Sequence, residues 1–194
     1  MTSRETITWT TEFLDWLPWI DTVDESGVGT ERRAVINATL GTRAGSTYYE
    51  TLAHDLESVR TRTILFSDIF ESEGGIPRSE RELAATVTSR INGCVYCASV
   101  HARLYGNLSR DRTLVQKLLH EGVATPMPPM QRAVADLSSK LTLDPEDLSA
   151  ADLAPLRDLG VSDLGILDLI QSASIFANAN RLMLTLGEPA GKST

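Results

Sequence analysis

Cysteine is nearly absent from this chain: only two of its 194 residues are cysteines, Cys94 and Cys97. Two cysteines this close together enclose too short a loop to constrain an unfolded chain much, which argues against a structural staple. Thiols at this spacing cycle readily between a dithiol and a disulfide. The spacing therefore favours redox or metal-binding chemistry.

Clusters of positive charge and long apolar runs are also missing. The formal net charge is -8 at pH 7, and no lysine and arginine run supplies the basic patch that a nucleic acid or an anionic membrane surface would need. No segment approaches the roughly 18 uncharged apolar residues of a membrane span, and the N-terminus lacks the apolar core of a signal peptide. We therefore expect no nucleic-acid partner, no membrane partner and a reducing, cytoplasmic location, in which a cysteine pair is more often catalytic, redox-active or metal-binding.

Sustained alternation of apolar and polar residues, which is typical of half-buried strands, is absent as well. Apolar residues recur at intervals of three and four, which predicts an all-α fold, and the length and 42% hydrophobic content suit a single domain over 1–194. The predicted helices cover 31–40, 48–70, 79–91, 94–106, 110–120, 130–141, 150–159 and 163–186. The second helix should turn five apolar residues inward: Leu52, Leu56, Val59, Ile64 and Leu65.

Aromatic residues make up only 6% of the chain, yet all three tryptophans, Trp9, Trp16 and Trp19, lie near its start. We interpret this aromatic stripe as a packing segment rather than a cofactor box. Docking on a neighbouring subunit is the alternative role for it.

The surroundings of the cysteines suggest chemistry. A helix that begins after the Asn92-Gly93 break would carry Cys94, Cys97 and His101 on one stripe. A helix start favours an anion, and the reactive form of cysteine is the thiolate. His101 could accept the proton of Cys97 or stabilise its thiolate, as a nucleophile paired with a base requires.

Glu82 has two competing interpretations. Ser79 and Glu82 have the spacing of a capping box, in which a serine at the helix start and a glutamate three residues later satisfy each other's backbone donors. If the turn folds the two helices together, Glu82 could instead orient His101. That arrangement would complete a relay of carboxylate, imidazole and thiol.

Zinc binding is a further alternative for the same residues. A closed zinc site needs four ligands, and the nearby candidates are the two cysteines and His101, with Glu82 or His120 needed to complete the set. No second cysteine pair exists, and the residue after Cys97 is not the histidine of a covalent haem signature. We expect no metal and no cofactor.

Taken together, the residues are Glu82, eleven positions, Cys94, two positions, Cys97, three positions and His101. This spacing resembles the AhpD-like (alkylhydroperoxidase D) branch of the carboxymuconolactone decarboxylase superfamily, and residues 176–187 are more loosely similar to its longer, peroxidase-related members. A role as a helix cap does not explain why Glu82 lies at the family's eleven-residue interval from Cys94. The resemblance therefore favours the second role of Glu82, in the relay with His101.

The resemblance covers a core at about 48–122. The stretch 176–187 is more loosely similar to the tail of the longer family members, and a C-terminal helical part would occupy about 126–187. An AhpD-like helical bundle is implied, assembled as a homo-oligomer, often a trimer or hexamer, with the cysteines in a pocket close to subunit contacts.

The resemblance also implies roles for individual residues. Cys97 would be the peroxide-reactive thiol that becomes a sulfenic acid, and Cys94 would resolve it to a disulfide and act as a proton donor. Glu82 and His101 would relay the proton. The implied partners are a small-molecule hydroperoxide and a dithiol electron donor of lipoyl or thioredoxin type.

One residue departs from the family pattern. Members best known as peroxidases carry a histidine immediately before the second cysteine, and this chain has Tyr96 there. Tyrosine can donate a hydrogen bond to a peroxide or a thiolate, but its usual pKa near ~10 makes it a poor base at neutral pH. The relay would then depend on Glu82 and His101 alone.

The leading hypothesis is a thiol-dependent peroxidase or dithiol-disulfide oxidoreductase. A decarboxylase or lactone-processing enzyme of the carboxymuconolactone type is a second hypothesis, against which the cysteine pair counts because those relatives generally lack it. A third is a non-enzymatic oligomeric binding protein or redox sensor, with the tryptophan segment as its contact element.

Overall fold

The computed structural model describes residues 8–23 and 29–191, and most of them are helical. The α-helices are α1 (Thr30–Leu40), α2 (Thr47–Leu52), α3 (Leu56–Glu71), α4 (Arg78–Ile91), α5 (Val95–Ser109), α6 (Arg112–Glu121), α7 (Pro129–Leu143), α8 (Ala150–Asp158) and α9 (Asp163–Leu186). Short 3-10 helices lie at Gly41–Arg43, Ala53–Asp55 and Pro145–Asp147. The prediction of a mostly helical fold is confirmed.

Helix α4 lies at the centre of the fold. Every residue from Arg81 to Ser89 is buried, because α5, α7 and α9 pack around this helix. A second cluster of buried side chains forms where α4, α5 and α9 meet the C-terminal end of α3. Both cysteines belong to that second cluster, so the redox candidates lie inside the fold.

A two-stranded antiparallel ribbon departs from the all-α prediction. Strand β1 (Leu14–Pro18) pairs with strand β2 (Gly187–Gly191), which follows α9 directly. The apolar stripe near the start of the chain is therefore partly a strand, whose partner lies at the opposite end of the sequence. Trp16 is buried at 3% exposure, as a packing segment requires, whereas Trp19 is 49% exposed.

The single helix predicted over 48–70 is wrong. The chain forms α2, a 3-10 turn and α3 instead, because Asp55 caps α3 by accepting a hydrogen bond from the Ser58 backbone N–H at 3.1 Å. Ile64 and Leu65, predicted to point inward, are about half exposed. The other predicted helices begin and end within three residues of the observed ones.

Within the described ranges, no single helix is long and apolar enough to cross a membrane. Helices α8 and α9 pass the same test of length and composition only as a pair, bent by 119°.

Candidate functional site

A tight turn between α4 and α5 positions the two cysteines. Gly93 adopts a φ of 80°, a left-handed conformation that glycine reaches at little cost, so α5 can begin directly after α4 ends. Cys94 is the N-cap of α5, and Cys97 lies in its first turn. Both thiols are free, and each side chain is at most 3% exposed. The predicted helix start at the cysteines is thus observed.

The predicted capping box at Ser79 is not present. Helix α4 begins earlier, with Pro77 as its N-cap, and makes no side-chain capping hydrogen bond. Glu82 consequently lies in the second turn, where its carboxylate points into the protein interior. Its Oε2 lies 2.5 Å from Nδ1 of His101 on α5, and both side chains are buried. The structure brings these two predicted site residues into direct contact.

Arg78 holds the other oxygen of the same carboxylate. Its Nε donates to Oε1 of Glu82 at 3.1 Å, from a side chain that is 41% exposed. The hydrogen bond to Glu82 assigns the proton of the neutral His101 imidazole to Nδ1 and leaves Nε2 able to accept a proton. The Phe176 ring packs edge-on against the imidazole, with centroids 4.0 Å apart, and restrains its orientation.

A cavity of about 190 Å³ lies next to this pair. Glu82, Tyr96, Cys97 and His101 all line it, whereas Cys94 is not among its lining residues. Among the residues that the structure describes, no hydrogen bond joins His101 to either sulfur. The imidazole and the Cys97 thiol therefore face one small chamber without direct contact, a separation that a substrate or a water molecule can bridge.

The pKa values of the two thiols are shifted in opposite directions. A hydrogen bond from Cys97 lowers the pKa of Cys94, because it stabilises the Cys94 thiolate. Burial raises the pKa of Cys97 well above its usual value, and the hydrogen bond to Cys94 and the charge of that neighbour add to the effect. Sγ of Cys97 lies 3.3 Å from Sδ of Met183, so its single S–H can turn to either sulfur. Cys97 is the protonated member of the pair at rest.

Asn180 on α9 supports the turn that carries the cysteines. Its side chain is fully buried, accepting a hydrogen bond from the Asn92 side chain at 3.0 Å and donating one to the Ser89 hydroxyl at 3.0 Å. Hydrogen bonding from this amide acts to lower the pKa of both thiols. The sequence signal for it was slight: Asn180 and Phe176 both fall in the stretch that is loosely similar to the family tail.

Three further residues of the cavity wall were missed by sequence reasoning, namely Tyr48, Arg62 and Met183. They come from α2, α3 and α9, so only the tertiary fold places them beside Cys97.

Burial raises the pKa of Tyr96, which keeps that phenol neutral and able to donate a hydrogen bond into the cavity. In the described part of the chain, no group of three or more histidine, cysteine, aspartate or glutamate side chains is arranged to hold a metal ion.

Residues 57–124, which include the Glu82–His101 pair and both cysteines, match the model of the carboxymuconolactone decarboxylase family. This segment belongs to the carboxymuconolactone decarboxylase family. The resemblance predicted from the spacing of Glu82, Cys94, Cys97 and His101 is thereby confirmed. No curated protein matches the chain significantly in sequence.

Solved structures extend the likeness in fold beyond that segment. The AhpD core of a peroxidase-related protein from Ralstonia eutropha is 23% identical, with a TM-score of 0.74 over 87% of this chain and 90% of its own. A peroxidase-related protein from a Silicibacter species is 24% identical, with a TM-score of 0.72 over 89% of this chain and 93% of its own. The debrominase Bmp8 is 16% identical, with a TM-score of 0.67 over 86% of this chain and 89% of its own.

Likeness at these identities establishes the fold. The chain has the AhpD-like fold of the carboxymuconolactone decarboxylase family, and the β1–β2 ribbon and α7 to α9 lie outside the segment that the family model matches.

Proposed function

We propose that this protein is a thiol-dependent peroxidase, or more broadly a dithiol-disulfide oxidoreductase, that reduces small hydroperoxides at Cys97. The observation that carries the proposal is the shared cavity. A thiol that can form a disulfide with its neighbour faces an imidazole held by a buried carboxylate, in a chamber large enough for a small peroxide. These are a nucleophile, a resolving thiol and a proton carrier.

Before substrate arrives, Cys94 is the thiolate and Cys97 keeps its proton. The proton that Cys94 has lost has gone to solvent. The Cys97 proton then passes along the thiol-thiol hydrogen bond to Cys94. This transfer leaves the thiolate on Cys97, the sulfur that lines the cavity.

The Cys97 thiolate attacks the terminal oxygen of the hydroperoxide ROOH. A sulfur-oxygen bond forms, the oxygen-oxygen bond breaks, and its electron pair leaves with the RO oxygen. Cys94 gives its newly gained proton to that oxygen, which departs as the alcohol ROH. Cys97 is now a sulfenic acid, and Cys94 is again a thiolate.

The Cys94 thiolate then attacks the Cys97 sulfur to form the disulfide. The hydroxide that leaves takes up a proton from solvent, passed on by Nε2 of His101, and departs as water. Two thiols and ROOH have become one disulfide, ROH and H2O. Because Cys94 lies three residues before the sulfenic acid on Cys97, this step competes well with further oxidation to the irreversible acids.

Turnover requires an external dithiol, of lipoyl or thioredoxin type, to reduce the disulfide, and a reducing, cytoplasmic compartment would supply it. We also propose that residues 1–194 form one domain, with the AhpD-like core at about 48–122 and the C-terminal helical part at about 126–187. Homo-oligomeric assembly belongs to the same proposal, and light scattering measures it directly.

Steady-state assays test the function. Cumene hydroperoxide, tert-butyl hydroperoxide and hydrogen peroxide are each offered with dihydrolipoamide or reduced thioredoxin, and peroxide consumption is followed. Wild type should turn over with at least one donor, and Cys97→Ser and Cys94→Ser should each abolish that turnover. Ser99→Ala is the matched control, since Ser99 lies in the same helix and its hydroxyl donates to the Tyr96 carbonyl.

Absence of turnover with every donor, together with thiols that hydroperoxides leave unoxidised, would overturn the proposal. Retention of activity on a carboxylated lactone by the double serine variant would favour the decarboxylase instead. A large redox-dependent change in mass without turnover would favour the sensor.

A further inference from the structure

Two groups in the cavity wall have buried polar atoms without partners. The hydroxyl of Tyr48, a side chain only 5% exposed, makes no hydrogen bond with any described residue. Nε and Nη1 of Arg62 are likewise buried without a hydrogen-bond partner among those residues. A buried donor that is left unpaired costs free energy, and an unpaired charged donor costs more than a neutral one.

Arg62 differs in this respect from the other arginines nearby. Arg78 is paired with Glu82, and the buried Arg81 is paired with Asp168 at 3.0 Å and also donates to several backbone carbonyls. The Arg62 guanidinium lies instead over the rings of Tyr48 and Tyr49, at 5.6 Å and 5.9 Å from their centroids. Aromatic faces stabilise a cation in part but accept no strong hydrogen bond from its N–H groups.

Both groups lie beside the reactive sulfur. Tyr48, Arg62 and Cys97 line the same cavity, and the positive charge of Arg62 is close enough to act on the Cys97 thiol. Burial raises the pKa of Tyr48, so its phenol stays protonated and remains a donor at neutral pH. One wall of the cavity thus carries a phenol and a guanidinium whose hydrogen-bond donors have no acceptor among the described residues.

We infer that Tyr48 and Arg62 form a carboxylate-binding subsite, so that the preferred substrate is a small hydroperoxide that also carries a carboxylate. One unpartnered N–H group of Arg62 can donate to one oxygen of a carboxylate, and the Tyr48 phenol can donate to the other. The volume of about 190 Å³ is below the roughly 300–1,000 Å³ of typical ligand pockets, which favours a compact molecule. This inference rests on the proposed function for its reactive group, but the subsite itself can be tested without turnover.

Binding is tested first, with two molecules that cannot oxidise a thiol. The probe 2-hydroxy-2-methylpropanoate differs from tert-butanol by a carboxylate in place of one methyl group. Calorimetry on the reduced full-length protein should show at least tenfold tighter binding of the hydroxy acid. Arg62→Met should abolish that preference, and Tyr48→Phe, which removes only the hydroxyl, should reduce it severalfold.

Arg60→Met is the matched control. Arg60 lies on the same helix, but its guanidinium is exposed and paired with Glu57, so this variant should retain the preference. Circular dichroism confirms that each variant is folded, and Tyr48→Phe keeps the test decisive should Arg62→Met unfold. Equal binding of the two probes by wild type, or an unchanged preference in Tyr48→Phe or in a folded Arg62→Met, overturns the subsite.

Kinetics then connect the subsite to the reaction. The ratio of kcat/KM for 2-hydroperoxy-2-methylpropanoate to that for tert-butyl hydroperoxide should be at least ten in wild type and near one in Arg62→Met. Thiol oxidation by all three peroxides separates the two proposals. If neither hydrogen peroxide nor either organic hydroperoxide oxidises the thiols while the hydroxy acid still binds selectively, the peroxidase function is wrong and the subsite stands.

Discussion

Nδ1 of His101 lies 2.5 Å from Oε2 of Glu82, in a pair of side chains that α4 and α5 bury almost completely. The carboxylate fixes the orientation of the imidazole and can stabilise a positive charge on it. Arg78 holds the second carboxylate oxygen, so the position of Glu82 is determined from both sides. A positioning role for Glu82 follows from this geometry.

Glu82→Gln should lower kcat/KM for peroxide reduction about 10- to 100-fold, because the imidazole loses the anion that holds its tautomer and stabilises its charged form. The bell-shaped pH profile should also shift, which a merely structural defect would not cause. The free energy of unfolding should fall by about 1–3 kcal/mol, since charged hydrogen bonds are replaced by neutral ones. Steady-state kinetics and urea denaturation measure these effects.

Glu80→Gln is the control for this change. Glu80 lies on the same helix, bonds Ser79 and does not line the cavity. Equal losses of activity in the two variants would contradict a specific role for Glu82.

Thiol reactivity should show the split between the two cysteines. Because the pKa of Cys94 is lowered, one thiolate per chain should persist below the usual titration range near ~8.5, and alkylation should slow only as the pH falls through the lowered value. Cys94→Ser should move the midpoint above ~8.5, because burial raises the pKa of the remaining Cys97 thiol. Thiolate absorbance at 240 nm and iodoacetamide rates provide the measurement, and a wild-type midpoint above that of Cys94→Ser would refute the split.

Tyr96 occupies the position where the better-known peroxidases of the family carry histidine. Since burial keeps its phenol neutral, Tyr96→Phe should reduce peroxidase kcat/KM less than about fivefold, the effect of one lost neutral hydrogen bond. Tyr96→His should raise kcat/KM about tenfold near neutral pH, because it adds a base beside Cys97. A parallel loss in both variants would show that the phenol itself takes part in the chemistry.

The ribbon that closes the chain onto its own start gives a stability prediction. A Cβ on Gly187 would lie 2.3 Å from Cζ2 of the buried Trp16 and 2.4 Å from the Leu17 carbonyl oxygen, so Gly187→Ala should destabilise the fold by about 1–3 kcal/mol. Gly191→Ala, at the other end of the same strand, places its Cβ in open space and should change stability by less than about 0.5 kcal/mol. Thermal and urea denaturation of the two variants make the comparison, and equal midpoints would show that Trp16 is not held against Gly187.

Local signals in the sequence were sufficient for most helices and for the cysteine turn. Asn92 and Gly93 end α4, and the spacing from Glu82 to His101 predicted the contact between these two residues without any coordinates. Glu82 contacts His101 instead of forming a capping box because the helix begins at Pro77, before Ser79. This earlier start places Glu82 in the second turn, where its side chain points into the protein interior.

Features that depend on tertiary packing could not be predicted from the sequence. Strand β1 reads as one more apolar stripe, because its partner follows α9 at the other end of the chain. Tyr48 and Arg62 carry no motif and reach Cys97 through the packing of α2 on β1 and α3, and of α3 on α9. Ile64 and Leu65 are apolar residues typical of a core, yet they lie on the exposed side of α3. Ile69 and Phe70 of the same helix are buried instead.

The most direct test of the central claim is a single-turnover stoichiometry at Cys94 and Cys97. Reduced protein is mixed without oxygen with one equivalent of cumene hydroperoxide, and thiols, intact mass and released alcohol are quantified. The account predicts the loss of two thiols, a mass decrease of about 2 Da and one alcohol per chain, with Cys94→Ser trapping a sulfenic acid on Cys97. Unchanged thiols in wild type, or a sulfenic acid that forms on Cys94 in Cys97→Ser at the wild-type rate, would contradict it.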